Sequence, residues 1–215
     1  GRGAEQHAHG TDTVSAAINL ALALGLPGRV GSGYGCLTGQ GNGQGGREHG
    51  LKCDQLPGYR KLDDPAARAH VAQVWGIDPA DLPDPGRSAY EMLDAIGDPG
   101  GVRALWVMAS NLVVSAPNAR HIAAKLKTLD FLVVSDIFLS ETAALADVVL
   151  PTTQWAEESG TMTNLEGRVI LRRAAIAPPE EVRSDLDVLA DLGAINTQAV
   201  AATMAGAPPQ LGAEP

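Results

Sequence analysis

The chain has 215 residues, of which 45 % are apolar and 19 % charged, and a formal net charge of -9. That apolar share supports a packed core and excludes global disorder, and the length suits one domain or one and a half. The acidic balance argues against a surface that wraps nucleic acid or lies on an anionic membrane, and two cysteines without a CxxC pair, Cys36 and Cys53, argue against a disulfide framework or structural zinc.

Taken in chain order, residues 11–25 predict a helix, with Val14, Ile18, Ala21 and Leu24 at helical spacing, Thr11 or Thr13 as cap and Gly25 at the C′ position. Residues 28–50 hold ten glycines in 23 positions. A helix there would lose about 1 kcal/mol per glycine relative to alanine, so the segment is expected to be irregular. Short helices are expected over 62–100, opened by Asp64-Pro65, by Asp78-Pro79 and by a Ser88…Glu91 capping box that Gly97 closes. The pattern then changes to a strand at 102–108, a loop, a helix at 118–129, a strand at 131–134, a loop with a short helix, and a strand at 147–151. This alternation predicts an α/β fold, a Rossmann-like parallel sheet with flanking helices. A hairpin or extended segment at 160–173, a linker at 177–182, a helix at 184–199 capped by Ser184 or Asp185, and a disordered tail complete the reading. No apolar run reaches the roughly 18 residues of a membrane span, and no signal peptide is read, so a cytoplasmic chain is expected.

Ligands of open α/β sheets bind beyond the carboxyl ends of the strands. Ser110 and Asn111 follow the first of these strands, and Ser135 and Asp136 the second, so both pairs belong to one sheet edge. An aspartate there is either a helix cap or an acceptor for a fork of donors, such as guanine N1–H and N2–H, which adenine lacks. The glycine-rich stretch LTGQGNGQGGREHG carries neither a P-loop nor a GxGxxG pattern. It reads either as a linker or as a loop in which Gln40, Asn42 and Gln44 meet a heteroatom-rich ligand while bare backbone lets it approach. Both cysteines read as plain thiols, Glu157 and Glu158 as a solvated loop, and Trp106 and Trp155 as core.

Two long stretches, the first 50 residues and VVSDIFLSETAALADVVLPTTQWAEESGTMTNLEGR, together resemble the molybdopterin oxidoreductase family, and within it the assimilatory nitrate reductases. The resemblance implies a molybdenum ion held by a pair of molybdopterin guanine dinucleotides (the bis-molybdopterin guanine dinucleotide cofactor). It implies nitrate as substrate, an electron donor protein or domain as partner, and no nucleic acid or membrane. Carried over residue by residue, Gln6 matches a cofactor-contacting glutamine, and Thr38, Gly39 and Gln40 match a TGQ segment that passes near pterin and metal. Asn111 matches a dinucleotide-contacting asparagine, Ser135 and Asp136 an SD pair at the guanosine end, and Asp185 a further cofactor aspartate. Related formate dehydrogenases carry an arginine where Thr38 stands, and related periplasmic enzymes a lysine where Glu158 stands. No catalytic or metal-ligating side chain is assigned. The family's 4Fe-4S module and the segment bearing the molybdenum ligand are not matched, so the chain is expected to be an internal fragment without activity of its own. Its expected domains are the end of one α/β domain at 1–38, most of a second, dinucleotide-binding one at 39–176, and a linker, helix and tail at 177–215.

Overall fold

A computed structural model describes residues 2–37 and 39–204. They group into two compact units, one running to Pro79 and including Thr161–Ile170, the other formed by Ala80–Gly160 and the chain from Leu171 onward. Thr38 and the tail 205–215 lie outside the described residues.

In the first unit, helix α1 (Gly10–Ala23) forms where the apolar spacing predicts it, but neither threonine caps it. It starts earlier, behind His9, and Thr13 donates its hydroxyl back to the His9 carbonyl at 3.1 Å. The early start depends on close approach: a Cβ on Gly10 would stand 1.8 Å from the Glu5 carbonyl oxygen. The C-terminus closes as expected, Gly25 at φ +61° allowing Leu26 N–H to reach Ala21 O at 3.0 Å and Gly25 N–H to reach Leu22 O at 2.9 Å, the paired bonds of a Schellman motif. The expected apolar stripe is only partly covered: Ala21 is buried and Val14 half-buried, but Ile18 and Leu24 are exposed.

The glycine-rich segment is not irregular throughout. It contains a six-residue helix, α2 (Gly43–Glu48), against the propensity argument. Its stabilisation is tertiary. Asn42, just ahead of it, accepts from the backbone N–H of Thr163 at 3.0 Å and donates to the Thr161 carbonyl at 3.3 Å. Glu48 accepts from the Thr163 hydroxyl at 2.7 Å. Two short antiparallel strands follow, β1 (Gln55–Leu56) and β2 (Arg60–Lys61), then helix α3 (Pro65–Trp75). Asp64 caps α3 through Ala66 N–H at 2.9 Å, as the Asp-Pro start predicts.

The second unit opens with α4 (Ala89–Asp94), which carries the predicted capping box between Ser88 and Glu91. Strand β3 (Ala104–Met108) leads into a short helix, α5 (Leu112–Ser115), where the sequence reading has a loop, and then α6 (Ala119–Leu126). Strands β4 (Phe131–Asp136) and β5 (Val148–Pro151) are joined through a 3-10 turn at Ala143–Leu145. The three strands form a parallel sheet in the order β3-β4-β5, with Met108 opposite Ser135 and Asp136 opposite Pro151. The α/β architecture read from the alternation is therefore present, with helices flanking a parallel sheet. One face carries Val107, Leu132 and Val134, and beside them Leu93, Ile96, Ile122 and Leu126 make the core under α4 and α6. Strands β6 (Gly160–Thr163) and β7 (Val169–Arg172) form the expected hairpin, whose tip belongs to the first unit. Helix α7 (Asp185–Met204) begins at the predicted serine, with Ser184 Oγ accepting Asp187 N–H at 3.1 Å. Its Val188, Leu192 and Ile195 face Trp106, Phe131 and Val133 across an apolar cleft of about 540 Å³.

Candidate functional site

The carboxyl rim of the sheet is where the second unit gathers polar side chains. Ala109, directly after strand β3, has a φ of +49°, a left-handed conformation uncommon for a residue with a side chain. Ala109 N–H still bonds the Ser135 carbonyl at 2.9 Å, so the turn that delivers Asn111 is pinned to the neighbouring strand. Asn111 is half-buried at the start of α5. Its Oδ1 accepts from the Thr142 hydroxyl at 2.9 Å and from Thr142 N–H at 3.3 Å, and its Nδ2 donates to Glu141 Oε2 at 2.6 Å.

Asp136 closes β4 on the same rim. One carboxylate oxygen accepts Ile137 N–H at 2.8 Å and the other accepts the Ser140 hydroxyl at 2.8 Å. Among the described residues each oxygen thus has one hydrogen-bond partner and retains a lone pair. Asp136 caps no helix: the next helical turn, Ala143–Leu145, starts behind Thr142, so the helix cap, one of the two alternatives from sequence alone, is not formed and the carboxylate instead holds a turn. Ser135 is different: it is fully buried, and its Oγ accepts the indole N–H of Trp106 at 2.8 Å, a bond that ties β4 to β3 within the sheet.

Asp185 lies at the other end of the second unit's chain, in the first turn of α7. Its Oδ1 is buried and finds no hydrogen-bond partner among the described residues. Burial, and secondarily the charge of Glu158, push its carboxyl above the usual aspartate range. Glu157 and Glu158 are not the solvated loop expected. Both are half-buried; Glu157 accepts Gln154 N–H at 3.0 Å, and Glu158 accepts the Thr153 hydroxyl at 3.0 Å and an Arg172 N–H at 3.3 Å. A polar cleft of about 340 Å³ opens beside them, lined by Thr153, Glu158, Ser184 and Asp187. A carboxyl whose pKa is raised on folding favours the folded state while it is protonated, and that contribution is lost as pH rises through the raised pKa. Asp185→Asn is therefore expected to raise the melting temperature of this chain at pH 7, and to change it little at a pH below the ordinary aspartate range. Parallel melts at the two pH values check this.

In the first unit, Gln6 is exposed in the turn before α1, and Gly39 is exposed in a bend. Gln40 lines a cleft of about 710 Å³ with Tyr34, Cys36, Gln44, Arg47, Tyr59 and Thr163. A Cβ on Gly39, Gly41 or Gly43 would meet nothing within 4 Å, so backbone is open to a ligand along this stretch. Arg47, not singled out by sequence reasoning, is also among the lining residues. Cys36 and Cys53 are exposed free thiols. Among the described residues, no helix is long and apolar enough to cross a membrane.

The predicted residues thus fall into two sets. Gln6, Gly39 and Gln40 belong to the first unit, and Asn111, Ser135, Asp136 and Asp185 to the second, where Asn111 and Asp136 share one rim. Sequence reasoning missed Ser140, Glu141 and Thr142, which hold that rim; a run of three polar residues between two apolar runs was the available signal.

The sequence model for molybdopterin oxidoreductases matches residues 1–195. The chain is 50 % identical over 191 residues to the assimilatory nitrate reductase catalytic subunit of Bacillus subtilis, covering 89 % of this chain and 27 % of that protein. It is 43 % identical to the F420-dependent formate dehydrogenase subunit alpha of Methanocaldococcus jannaschii, over 88 % of this chain and 27 % of that one. It is 42 % identical to a nitrate reductase of a Synechocystis species, again over 89 % and 27 %. The chain spans about a quarter of the length of these relatives.

Proposed function

Because the chain belongs to the molybdopterin oxidoreductase family, we propose that it forms part of the cradle for a molybdenum-bearing bis-molybdopterin guanine dinucleotide in a cytoplasmic enzyme that reduces nitrate to nitrite. The observation that carries the reading is the placement of Asn111 and Asp136 on one carboxyl rim of a parallel sheet, the position at which α/β sheets hold nucleotides. The residues fit the group. Asp136 keeps free lone pairs for a donor fork, Asp185 carries a buried acceptor with no partner among the described residues, and the Gln40 cleft combines amides with open backbone.

When bound, the cofactor would supply the two-electron chemistry, with electrons from a donor protein or domain through an iron–sulfur cluster that this segment does not bind. The chain's own contribution is binding and orientation. Asp136 accepts from the guanine N1–H and N2–H, a match adenine cannot make. Asn111 meets the same nucleotide, and Asp185 a further donor of the cofactor. In the first unit, Gln6, Thr38, Gly39 and Gln40 contact the pterin end. Arg47 offers a planar, permanently charged fork suited to a small planar anion such as nitrate. The chain alone is not expected to turn over nitrate.

The test uses the full-length protein carrying this sequence. Molybdenum and the GMP released by acid hydrolysis are quantified together, and nitrite production with a reduced dye is compared with formate oxidation by the oxidised dye. Nitrite formation supports the reading. Formate oxidation without nitrite would assign the protein to the formate branch, to which it is 43 % identical in one relative. Gln40→Leu is expected to lower cofactor content and turnover together by about fivefold, the loss of one buried polar contact. Unchanged values would remove the loop from the cradle.

A further inference from the structure

The amide of Asn111 is oriented by partners whose donor or acceptor sense is unambiguous. An asparagine in front of a helix ordinarily folds its oxygen onto the first free N–H groups. Here Thr142 takes that place: its Oγ1 accepts Val113 N–H at 3.0 Å, the second N–H of α5. The Thr142 hydroxyl donates to Asn111 Oδ1 at 2.9 Å, the sense that the next two contacts require. The Thr142 backbone N–H, which can only donate, also faces Oδ1 at 3.3 Å. On the other side, Asn111 Nδ2 stands 2.6 Å from Glu141 Oε2. The carboxyl of Glu141 is held below the usual glutamate range, first by this hydrogen bond, so at neutral pH it can only accept. Oxygen and nitrogen of the amide are thereby assigned by chemistry. The oxygen is engaged twice by Thr142, and Nδ2 keeps one N–H beyond the bond to Glu141.

We propose that Thr142 and Glu141 are positioning residues that present Asn111 to the sheet rim as a hydrogen-bond donor, so that the ligand atom it recognises is an acceptor oxygen, on a phosphate or on the sugar or base. The inference rests on the reading above, that Asn111 contacts the dinucleotide, and goes beyond it by fixing the sense of that contact and the two side chains that set it. Thr142 frees the asparagine from capping, and Glu141 draws the amide nitrogen to the surface, where the Glu141 side chain is itself exposed.

The experiment measures GMP retained per polypeptide after gel filtration of the full-length protein, with melting temperature as the control for folding. Asn111→Ala is expected to lower retention about tenfold, as loss of a hydrogen bond to a charged or strongly polar acceptor. Asn111→Asp is expected to fall below it, since it turns the donor into an acceptor and sets it against Glu141. Glu141→Ala and Thr142→Val are each expected to lower retention about fivefold, with Glu141→Gln and Thr142→Ser restoring most of it, because each keeps the required hydrogen-bonding atom. Glu141→Ala added to Asn111→Ala is expected to cost nothing more, the non-additivity of residues that act through one another.

Retention unchanged in Asn111→Ala would overturn both the inference and the dinucleotide contact beneath it. A loss in Asn111→Ala accompanied by full additivity, or by no effect of Glu141→Ala and Thr142→Val, would overturn the inference alone. Calorimetric titration of the cofactor-free protein with pyrophosphate and with guanosine separates the two sources. Weakening by Asn111→Asp confined to pyrophosphate names a phosphate oxygen, and weakening confined to guanosine names a sugar or base oxygen. Weakening of neither overturns the proposal.

Discussion

Asp136→Asn in the full-length protein is expected to lower retained guanine dinucleotide about a hundredfold while leaving the fold intact. The substitution is nearly isosteric, and the structure shows why the scaffold tolerates it. An asparagine oxygen can still accept Ile137 N–H, which Asp136 now holds at 2.8 Å, and the new amide can donate to the Ser140 oxygen that now donates to the carboxylate, also at 2.8 Å. The loop between β4 and the Ala143–Leu145 turn therefore keeps its bonds, and a change in melting temperature of no more than about 2 °C is expected. The ligand contact has no such remedy. Guanine presents two parallel donors, and an amide facing them sets one donor against another, losing a charge-assisted bond and stranding a desolvated N–H. GMP content after gel filtration and the melting curve, measured on the same preparation, separate the outcomes. Full retention in Asp136→Asn would reduce Asp136 to a turn-forming residue. Loss of retention together with a collapsed melting temperature would mean that the side chain holds the rim and not the base.

Much of this rim was legible in the sequence because its signals are local or follow from strand order. The three strands announce themselves as apolar runs, and the end of each parallel strand is a position that topology makes functional. The Ser88…Glu91 box, the Asp64 cap and the Gly25 turn are likewise patterns within a few residues, and all form. What was illegible depends on partners remote in sequence. Helix α5 is capped by Thr142, which lies 29 residues beyond Val113. No window around Leu112 contains that information, so the segment reads as a loop. Helix α2 is fastened through Asn42 to a backbone N–H 121 residues away, which offsets the propensity of its glycines. The start of α1 behind His9 depends on Gly10 packing against the Glu5 carbonyl, a close approach that a capping rule does not register. In the same way, Asn111 was visible as a strand-end asparagine, but the sense of its amide is set by Glu141 and Thr142 and becomes readable only once β4 and the turn after it are in place.

The pair Gly45→Ala and Gly46→Ala puts the remote fastening of the glycine-rich segment to a test in which opposite signs are expected at adjacent positions. On helix propensity alone, each change within α2 favours the fold by up to about 1 kcal/mol. At Gly46 nothing opposes this: an added Cβ would meet only the Leu51 side chain at 3.6 Å, ordinary contact. Gly45 is buried, and its Cβ would stand 2.4 Å from Asn42 Oδ1 and 2.7 Å from Nδ2. The Asn42 side chain cannot yield cheaply, because both of its ends are bonded to the β6 backbone at Thr163 and Thr161. Displacing it breaks both bonds and strands the Thr163 N–H, a cost of about 2–3 kcal/mol that outweighs the propensity gain. Gly45→Ala is therefore expected to destabilise the first unit by about 1–2 kcal/mol and Gly46→Ala to stabilise it slightly, as read from urea unfolding curves of the two variants. Gln40 and Gln44 line the cleft that this clamp supports, so Gly45→Ala is also expected to lower cofactor retention while Gly46→Ala leaves it unchanged. If both alanines shift stability in the same direction, Asn42 does not hold the segment, and the short helix within the glycine run must draw its stability from other contacts.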